Sequence, residues 1–357
     1  MDTQSKDFLS QYLNNYSPTG HEAQGQQIWL DYIKPYSDTY MSDPYGSVAA
    51  IVNPNAPYKV VIEAHADEIA WFVANISEKG YITLKRNGGS DAVIAPSMRA
   101  AIHTKKGLIP AIFGWPAIHV RPRDKDEPAP NMKSIFLDVG ANNRDEVLAM
   151  GIHIGCVATF TDGLTWLNGD RYITGRALDN RMGGFMIAEV LRRIKENGIQ
   201  LPFALYAVNS VQEEIGLRGA EMISRRIKPD VAIITDVTHD TQSPGYNKED
   251  SDIACGRGPV LSYGAAVHNI LLDRIIDTAN EAGIAFQRIV AERSTGTDTD
   301  SFAYSGEGVP SALISLPLKY MHTTVETVAA EDVEQVINLI YKVIVGLKGN
   351  EDYRYVR

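Results

Sequence analysis

The chain has 357 residues, of which 44% are hydrophobic and 22% are charged. This length favours about two domains, and the composition is ordinary for a soluble globular protein. The formal net charge of −10 argues against nucleic acid or an acidic membrane surface as a partner.

Neither the cysteines nor the start of the chain indicates an exported protein. Cys156 and Cys255 form no Cys-x-x-Cys pair, so we expect buried structural thiols rather than a disulfide scaffold. The opening MDTQSKDFLSQYL has no apolar core of signal-peptide length. No stretch approaches the ~20 apolar residues that span a bilayer. We therefore expect a cytoplasmic protein with no membrane partner.

The N-terminal part predicts two helices and then a series of strands. Apolar residues recur at helical spacing in residues 4–15 and 25–34. Four strand-like runs follow, at 48–52, 59–64, 69–76 and 81–86.

From about residue 87 to residue 161 the pattern changes to short apolar runs separated by Gly and Pro. It includes the charged string RPRDKDEPAPN at 121–131, which we interpret as a loop. Short strands between turns are typical of a small β-barrel-like module. We assign residues 70–163 to this inserted domain and residues 1–69 and 164–357 to a catalytic domain. Edge strands and apolar faces of such a module favour self-association.

The C-terminal half alternates helices and strands, which predicts an α/β fold with a mostly parallel sheet covered on both faces. The predicted helices are 180–198, 217–228, 271–283 and 333–349, and the predicted strands are 203–208, 231–235, 286–292 and 311–316.

Histidine and carboxylate residues recur where these strands end. His65 and Asp67 follow the strand at 59–64, and the adjacent Glu213 and Glu214 follow the strand at 203–208. The remaining members are Asp236 after a strand, His322 beyond the last strand, and Asp179 just before a helix. Ligands of open α/β sheets bind at the carboxyl ends of the strands, so we expect these side chains to converge.

This residue set predicts a site for two divalent metal ions. Histidine and carboxylate without thiolate suit Zn²⁺, Co²⁺ or Mn²⁺, and we favour Zn²⁺ or Co²⁺. Two close dications repel, so one anionic ligand must bridge them, and we assign that bridge to Asp179. One ion then takes His65 and Asp236, and the other takes Glu214 and His322.

Glu213 and Asp67 receive the two remaining roles. The side chains of adjacent residues point in different directions, so Glu213 cannot easily bind the same ion as Glu214. We therefore assign Glu213 as the general base that takes a proton from water and passes it to the leaving amine. Asp67 can accept the other ring N–H of His65.

Each residue also has a simpler explanation when it is taken alone. Asp179 could be a helix N-cap, Asp236 an Asx turn, and the glutamate pair a solvated helix face. For Asp298, in STGTDTDSF, the sequence allows two roles: it could line the site, or it could belong to a turn or a helix cap. Of the other histidines, His239 and His268 are the ones we expect nearest the pocket.

The motifs around these residues resemble those of the tetrahedral (TET-type) aminopeptidases, a metallopeptidase family of glutamyl, lysyl and deblocking enzymes often labelled cellulase M or endoglucanase. The matching strings are EAHADEIAWFV, GRALDNRMGG, VQEEIGLRGA, IITDVTHD, GRGP, GTDTDSFAYSGEGVP and KYMHTTVETV. The resemblance extends from SPTGHE at 17–22 through the closing helix. It departs from the family at TTVE after His322, where a Ser-Pro pair is frequent, and at Ser47, where Asn is usual.

The resemblance implies the same metal ligands and the same base, together with a fold of the zinc-aminopeptidase type. It also implies that the inserted β module mediates dimerisation and that dimers assemble into a hollow tetrahedral dodecamer. The expected substrates are peptides with a free N-terminus, from which N-terminal residues are released through a water activated by two metal ions.

Three other functions remain open from the sequence. A deacylase or dipeptidase could use the same two-metal site on N-acyl substrates. A glycosidase, as the endoglucanase label suggests, would use a carboxylate pair such as Glu213 and Asp236 but leaves the histidines without a role. A metal-binding assembly protein would not need Glu213.

Overall fold

A computed structural model of the chain describes residues 1–121, 129–247, 249 and 251–356. Most of the charged loop predicted at 121–131 lies outside the described residues. The α-helices are α1 Thr3–Asn14, α2 Ala23–Ile33, α3 Arg144–Ala149, α4 Leu178–Glu196, α5 Arg218–Ile227, α6 Asn269–Glu281, α7 Asp298–Ala303 and α8 Ala330–Gly346.

The strands form one large sheet, one small sheet and one barrel. In chain order they are β1 Thr39–Ser42, β2 Val48–Val52, β3 Lys59–His65, β4 Ala70–Ile76, β5 Ile82–Asn87, β6 Arg99–Thr104, β7 Gly107–Phe113, β8 Leu137–Asp138, β9 Val157–Phe160, β10 Thr165–Leu167, β11 Tyr172–Gly175, β12 Ala204–Ser210, β13 Val231–His239, β14 Val260–Tyr263, β15 Gln287–Val290, β16 Ser311–Leu318 and β17 Glu326–Ala329.

The large sheet has eight strands in the order β1-β2-β12-β3-β13-β16-β14-β15. Its four central strands, β12, β3, β13 and β16, run parallel to one another, and the antiparallel pairs lie toward the two edges. Successive residues of these central strands are nearly all buried. Since successive side chains point to opposite faces, the sheet is covered on both faces. The predicted α/β fold is confirmed.

The barrel is closed by β4 to β9 in the order β4-β5-β8-β7-β6-β9. Its interior is a hydrophobic core of its own that includes Trp71, Phe113 and Phe160. The core of the large sheet is a separate cluster in which α4 and α8 pack together. Closure pairs every barrel strand on both sides, so the free edge strands expected from the sequence are not found among the described barrel strands.

A small antiparallel sheet, β10-β11-β17, lies beside the large one. The sequence patterns did not predict it. Its strand β11 leads into the start of α4, and its strand β17 follows the turn that contains His322. In the described part of the chain, no helix is both long and apolar enough to cross a membrane.

Candidate metal centre

The parallel strands bring the predicted ligands to one edge of the sheet. His65 is the last residue of β3 and pairs in register with Ser210, the last residue of β12. The chain leaves β12 into a short 3₁₀ turn, Glu213–Ile215, which contains both glutamates. Asp236 lies within β13, because that strand continues to His239 instead of ending at residue 235. The prediction that Asp236 follows the strand is therefore wrong in detail.

Asp179 lies between the two histidines. Its Oδ1 is 3.2 Å from Nε2 of His65, and its Oδ2 is 3.3 Å from Nε2 of His322. Asp179 is the second residue of α4 but has non-helical backbone angles. Its side chain therefore projects from the connection between β11 and the regular part of the helix. A carboxylate with one oxygen facing each histidine has the arrangement that a bridging ligand requires.

Two groups of potential ligands meet at Asp179. One is His65, Asp179 and Asp236, and the other is Asp179, Glu214 and His322; within each group the donor atoms lie within 4.8 Å of one another. These are the two ligand sets expected from the sequence. A third group, of His65, Glu213 and Glu214, overlaps both.

Asp67 connects the histidine strand to the glutamate turn. Its Oδ1 lies 3.4 Å from Nδ1 of His65 and accepts the backbone N–H of Glu213 at 3.0 Å. Its Oδ2 accepts the backbone N–H of Glu214 at 3.3 Å and the hydroxyl of Thr19 at 2.8 Å. One buried carboxylate thus orients three of the candidate residues.

The donor set fits divalent cations by its charge as well as by its chemistry. Four carboxylates, those of Asp179, Glu213, Glu214 and Asp236, line one cavity together with both histidines. Burial, followed by the charge of Asp179, raises the pKa of Glu214 and of Asp236, although neighbouring histidines oppose the shift. Burial raises the pKa of Glu213 to about 10. Carboxylates that repel in this way are the ones that metal ions stabilise.

The pKa values of His65 and His322 are raised, although burial by itself would lower them. Burial alone would lower the pKa of His322, but Asp179 and Glu214 raise it to about 11. The pKa of His65 is likewise raised against burial by its contacts with Asp179 and Asp67. Although burial would raise the pKa of Asp179, its contacts with His322 and His65 hold that pKa well below its usual range.

The cavity above this cluster has a volume of about 670 Å³. His239 lines it, whereas His268 lies at the amino ends of the strands and lines a separate cavity with Tyr353 and Tyr355. Asp298 is buried at the start of α7, where its Oδ2 accepts the hydroxyl of Ser210 at 2.7 Å. Thr297 rather than Asp298 provides the N-cap of that helix.

Several residues around the cluster have left-handed backbone conformations, which are unfavourable for side chains other than glycine. They flank or include the candidate ligands and are Ala177, Gln212, Leu217, Tyr320 and His322, with φ angles of 58°, 59°, 62°, 61° and 61°. Backbone strain of this kind concentrates at functional sites.

Sequence reasoning missed Glu326 and Asp300. Glu326 is buried and accepts backbone N–H groups from Asp179 and His322. Asp300 lines the cavity and accepts the backbone N–H groups of Thr295 and Gly296. Contacts from a side chain to a distant backbone leave no spacing pattern, and the available signal was only that Glu326 follows His322 by four residues.

We expect the metal-free protein to lose stability as the pH rises from about 6 to about 8.5. The raised pKa values of Glu213 and His322, about 10 and about 11, mean that the folded state holds protons that the unfolded chain releases. That stabilisation is complete below the unfolded pKa values, 4.5 for Glu213 and 6.5 for His322, and decreases as the pH rises from there toward the folded values. Thermal unfolding of chelator-treated protein at several pH values measures the effect.

Two controls make the pH experiment specific. Divalent ions displace these protons, so added Co²⁺ should raise the Tm more at the alkaline end than at the acidic end. The Glu213→Gln variant lacks one titrating group and should show a shallower fall. A metal-free Tm that increases over the same pH range would contradict this interpretation.

Comparison with known proteins gives a consistent result. A family model described as M42 glutamyl aminopeptidase matches residues 46–339. The chain is 33% identical over 346 residues to lysyl aminopeptidase of Pyrococcus furiosus, covering 96% of this chain and 97% of that one. A crystal structure of a TET aminopeptidase from Thaumarchaeota archaeon SCGC AB-539-E09 has a TM-score of 0.92 at 28% identity and covers 97% of both chains.

The endoglucanase label also occurs among the solved structures. A Thermotoga maritima protein with that label has a TM-score of 0.75 at 23% identity, covering 94% of this chain and 96% of that chain. This likeness shows a shared fold alone.

Proposed function

The chain belongs to the M42 glutamyl aminopeptidase family, and we propose that it releases N-terminal residues from peptides with the help of two divalent metal ions, Zn²⁺ or Co²⁺. One observation supports two ions more than any other. The two carboxylate oxygens of Asp179 face different histidines, and each histidine belongs to its own group of potential ligands.

In this proposal His65 and Asp236 would hold one ion, Glu214 and His322 would hold the other, and Asp179 would serve both. Ions bound there would lower the pKa of water and polarise the scissile carbonyl. Asp67 contacts both the ring of His65 and the backbone of the glutamate turn, and so fixes their relative positions.

We assign proton transfer to Glu213. Its Oε2 is 3.9 Å from Nε2 of His65, and it lines the cavity beside both ligand groups. Nearby dications would favour its ionised form, which can accept a proton from the attacking water. The same carboxyl group then returns the proton to the amine that leaves.

The cavity lining indicates which first residues are accepted. Among its described lining residues there is no lysine or arginine, and Asp300 adds a further carboxylate. Burial lowers the pKa of His239, which favours the neutral form of that ring. With the two proposed ions engaged by the ligands and by the peptide group, an acidic side chain would find no cationic side chain in this lining, which is unfavourable.

We therefore expect leucyl and lysyl p-nitroanilides to be cleaved with kcat/KM values at least about tenfold higher than the glutamyl p-nitroanilide. Placing a cation in the lining by Thr238→Lys should narrow the difference, and Thr238→Gln serves as a control of similar size. Preferential cleavage of the glutamyl substrate by the unaltered enzyme would show that the charge argument is wrong.

Metal removal and restoration test the proposed function. The chelated protein should lose aminopeptidase activity and regain it with Zn²⁺ or Co²⁺. Restored cleavage of N-acyl amino acids with no activity on free N-termini would favour the deacylase alternative. Metal-independent cleavage of a β-glucan would favour the glycosidase, and the absence of any hydrolysis would favour a metal-binding assembly protein.

We further propose that residues 70–163 form a domain that mediates self-association into dimers and a dodecamer. Because the barrel is closed, the support comes from its outer surface and not from free edges. The outward positions of β7 are Leu108, Pro110 and Ile112, a row of apolar side chains in which Leu108 is 50% and Ile112 is 52% exposed. Rows of this kind on a surface mark interaction sites.

The double substitution Leu108→Lys and Ile112→Lys should reduce the assembled mass in light scattering of metal-replete protein, because it places charges on this apolar row. Thr83→Lys adds charge at another exposed barrel position and should have no such effect. An unaltered chain that remains monomeric at micromolar concentration with its metals bound would overturn the assembly proposal.

A further inference from the structure

Glu326 lies beneath two of the candidate ligands. It is the first residue of β17 and is only 2% exposed. Its Oε2 accepts the backbone N–H of Asp179 at 3.1 Å, and its Oε1 accepts the backbone N–H of His322 at 2.7 Å. Each carboxylate oxygen therefore holds the backbone of a different ligand.

Both backbones lie outside regular structure and need such a partner. Asp179 has φ −80° and ψ 112° at a point where α4 has not yet become helical. His322 has φ 61° in a turn, a left-handed conformation that is unfavourable for a histidine. Without Glu326 both N–H groups would lose their acceptor, and that of Asp179 is buried.

The small sheet places Glu326 between the backbones of Asp179 and His322. In the pairing of β11 with β17, Glu326 is opposite Gly175, four residues before Asp179 in the chain. His322 precedes Glu326 by four residues on the other side. The register of these two strands therefore brings the loop before α4 and the turn after β16 to one carboxylate.

We propose that Glu326 is a positioning residue for the ion held by Asp179, Glu214 and His322. By fixing the backbones of Asp179 and His322 together, it sets the distance between two ligands of that ion and limits their movement. Asp67 has a comparable position, since it faces Nδ1 of His65 in the other ligand group and accepts the backbone N–H groups of both glutamates. This inference rests on the proposed two-metal function.

Glu326→Gln provides the test. The amide oxygen can still accept one of the two N–H groups, but the amide nitrogen then faces the other as a second donor. We expect the ion held by Asp179, Glu214 and His322 to bind about 10–100-fold more weakly, as is usual when a group supporting a ligand is lost, while the other ion, which shares only Asp179 with it, loses distinctly less affinity. Titration of metal-free protein with Zn²⁺ against a chromogenic chelator gives both dissociation constants.

Asp332 supplies a matched control. It is buried at the start of α8 and accepts the backbone N–H groups of Gly256 at 2.6 Å and Gly258 at 2.8 Å, away from the cavity. Asp332→Asn should therefore cost stability but leave both dissociation constants unchanged. If Glu326→Gln does not fold, Glu326→Asp keeps the charge on a shorter side chain and should weaken the same ion.

Combination with His322→Ala identifies the ion. If Glu326 acts on the ion that His322 holds, the affinity of the double variant for that ion should fall by less than the sum of the two single losses. Normal affinity for both ions in the Glu326 variants, or equal losses at both, would overturn the proposal. The unaltered protein separates this failure from failure of the function, because a wild-type chain that binds fewer than two ions would contradict the two-metal centre itself.

Discussion

Glu213→Gln is expected to keep both metal ions and to lose turnover by about 10²–10⁴-fold, the range typical for removal of a general base. The amide has the shape of the carboxylate but cannot take a proton from water. Its position, with Oε2 3.9 Å from Nε2 of His65, puts it beside the candidate ligands, and the proposed ligand sets do not include it. The change should therefore appear in kcat and not in metal content.

Two comparisons make this result interpretable. Glu214→Gln alters the neighbouring residue, which belongs to a ligand group with Asp179 and His322, and it should lose metal as well as activity. Metal content is counted by native mass spectrometry in the same samples used for kinetics. Near-normal turnover of a fully metallated Glu213→Gln variant would remove Glu213 from the role of base.

Asp179→Asn is expected to weaken both metal ions together. The substitution replaces one ligating oxygen with an amide nitrogen and removes the negative charge that offsets repulsion between two close dications. The lost charge reaches both ions, because Oδ1 faces His65 and Oδ2 faces His322. At micromolar metal concentrations, activity and metal occupancy should both decrease. Activity should recover in part when the metal concentration is raised.

His322→Ala is the matched comparison for Asp179→Asn. His322 belongs to one ligand group only, so its removal should release mainly one ion. Mass spectrometry of the two variants at equal metal concentration then distinguishes a bridging ligand from a terminal one. Loss of a single ion from Asp179→Asn would assign the bridge to a different residue.

The large sheet could be predicted from the sequence because its central strands are long apolar runs. Residues 59–64 and 203–208 of the chain correspond closely to Lys59–His65 and Ala204–Ser210 in the structure. The shorter strand Thr39–Ser42 was missed, since four residues that are mostly exposed have no apolar pattern. Closure of the barrel was also beyond the sequence, because it depends on pairing between distant strands.

The candidate ligands could be predicted for a related reason. His65 and the glutamate pair follow apolar runs that end at the same edge of a parallel sheet, so position in the chain translates into position in space. Glu326 could not be found in this way. Its role depends on hydrogen bonds to the backbones of Asp179 and His322, and these arise from the register of two short strands with weak patterns.

The most direct test of the two-metal centre is anomalous diffraction from a crystal grown with Zn²⁺, recorded on both sides of the zinc absorption edge. We expect two anomalous peaks, one on each side of the Asp179 carboxylate. The first should lie among His65, Asp179 and Asp236, and the second among Asp179, Glu214 and His322. A single peak in fully active protein, or peaks away from Asp179, would contradict the proposed centre.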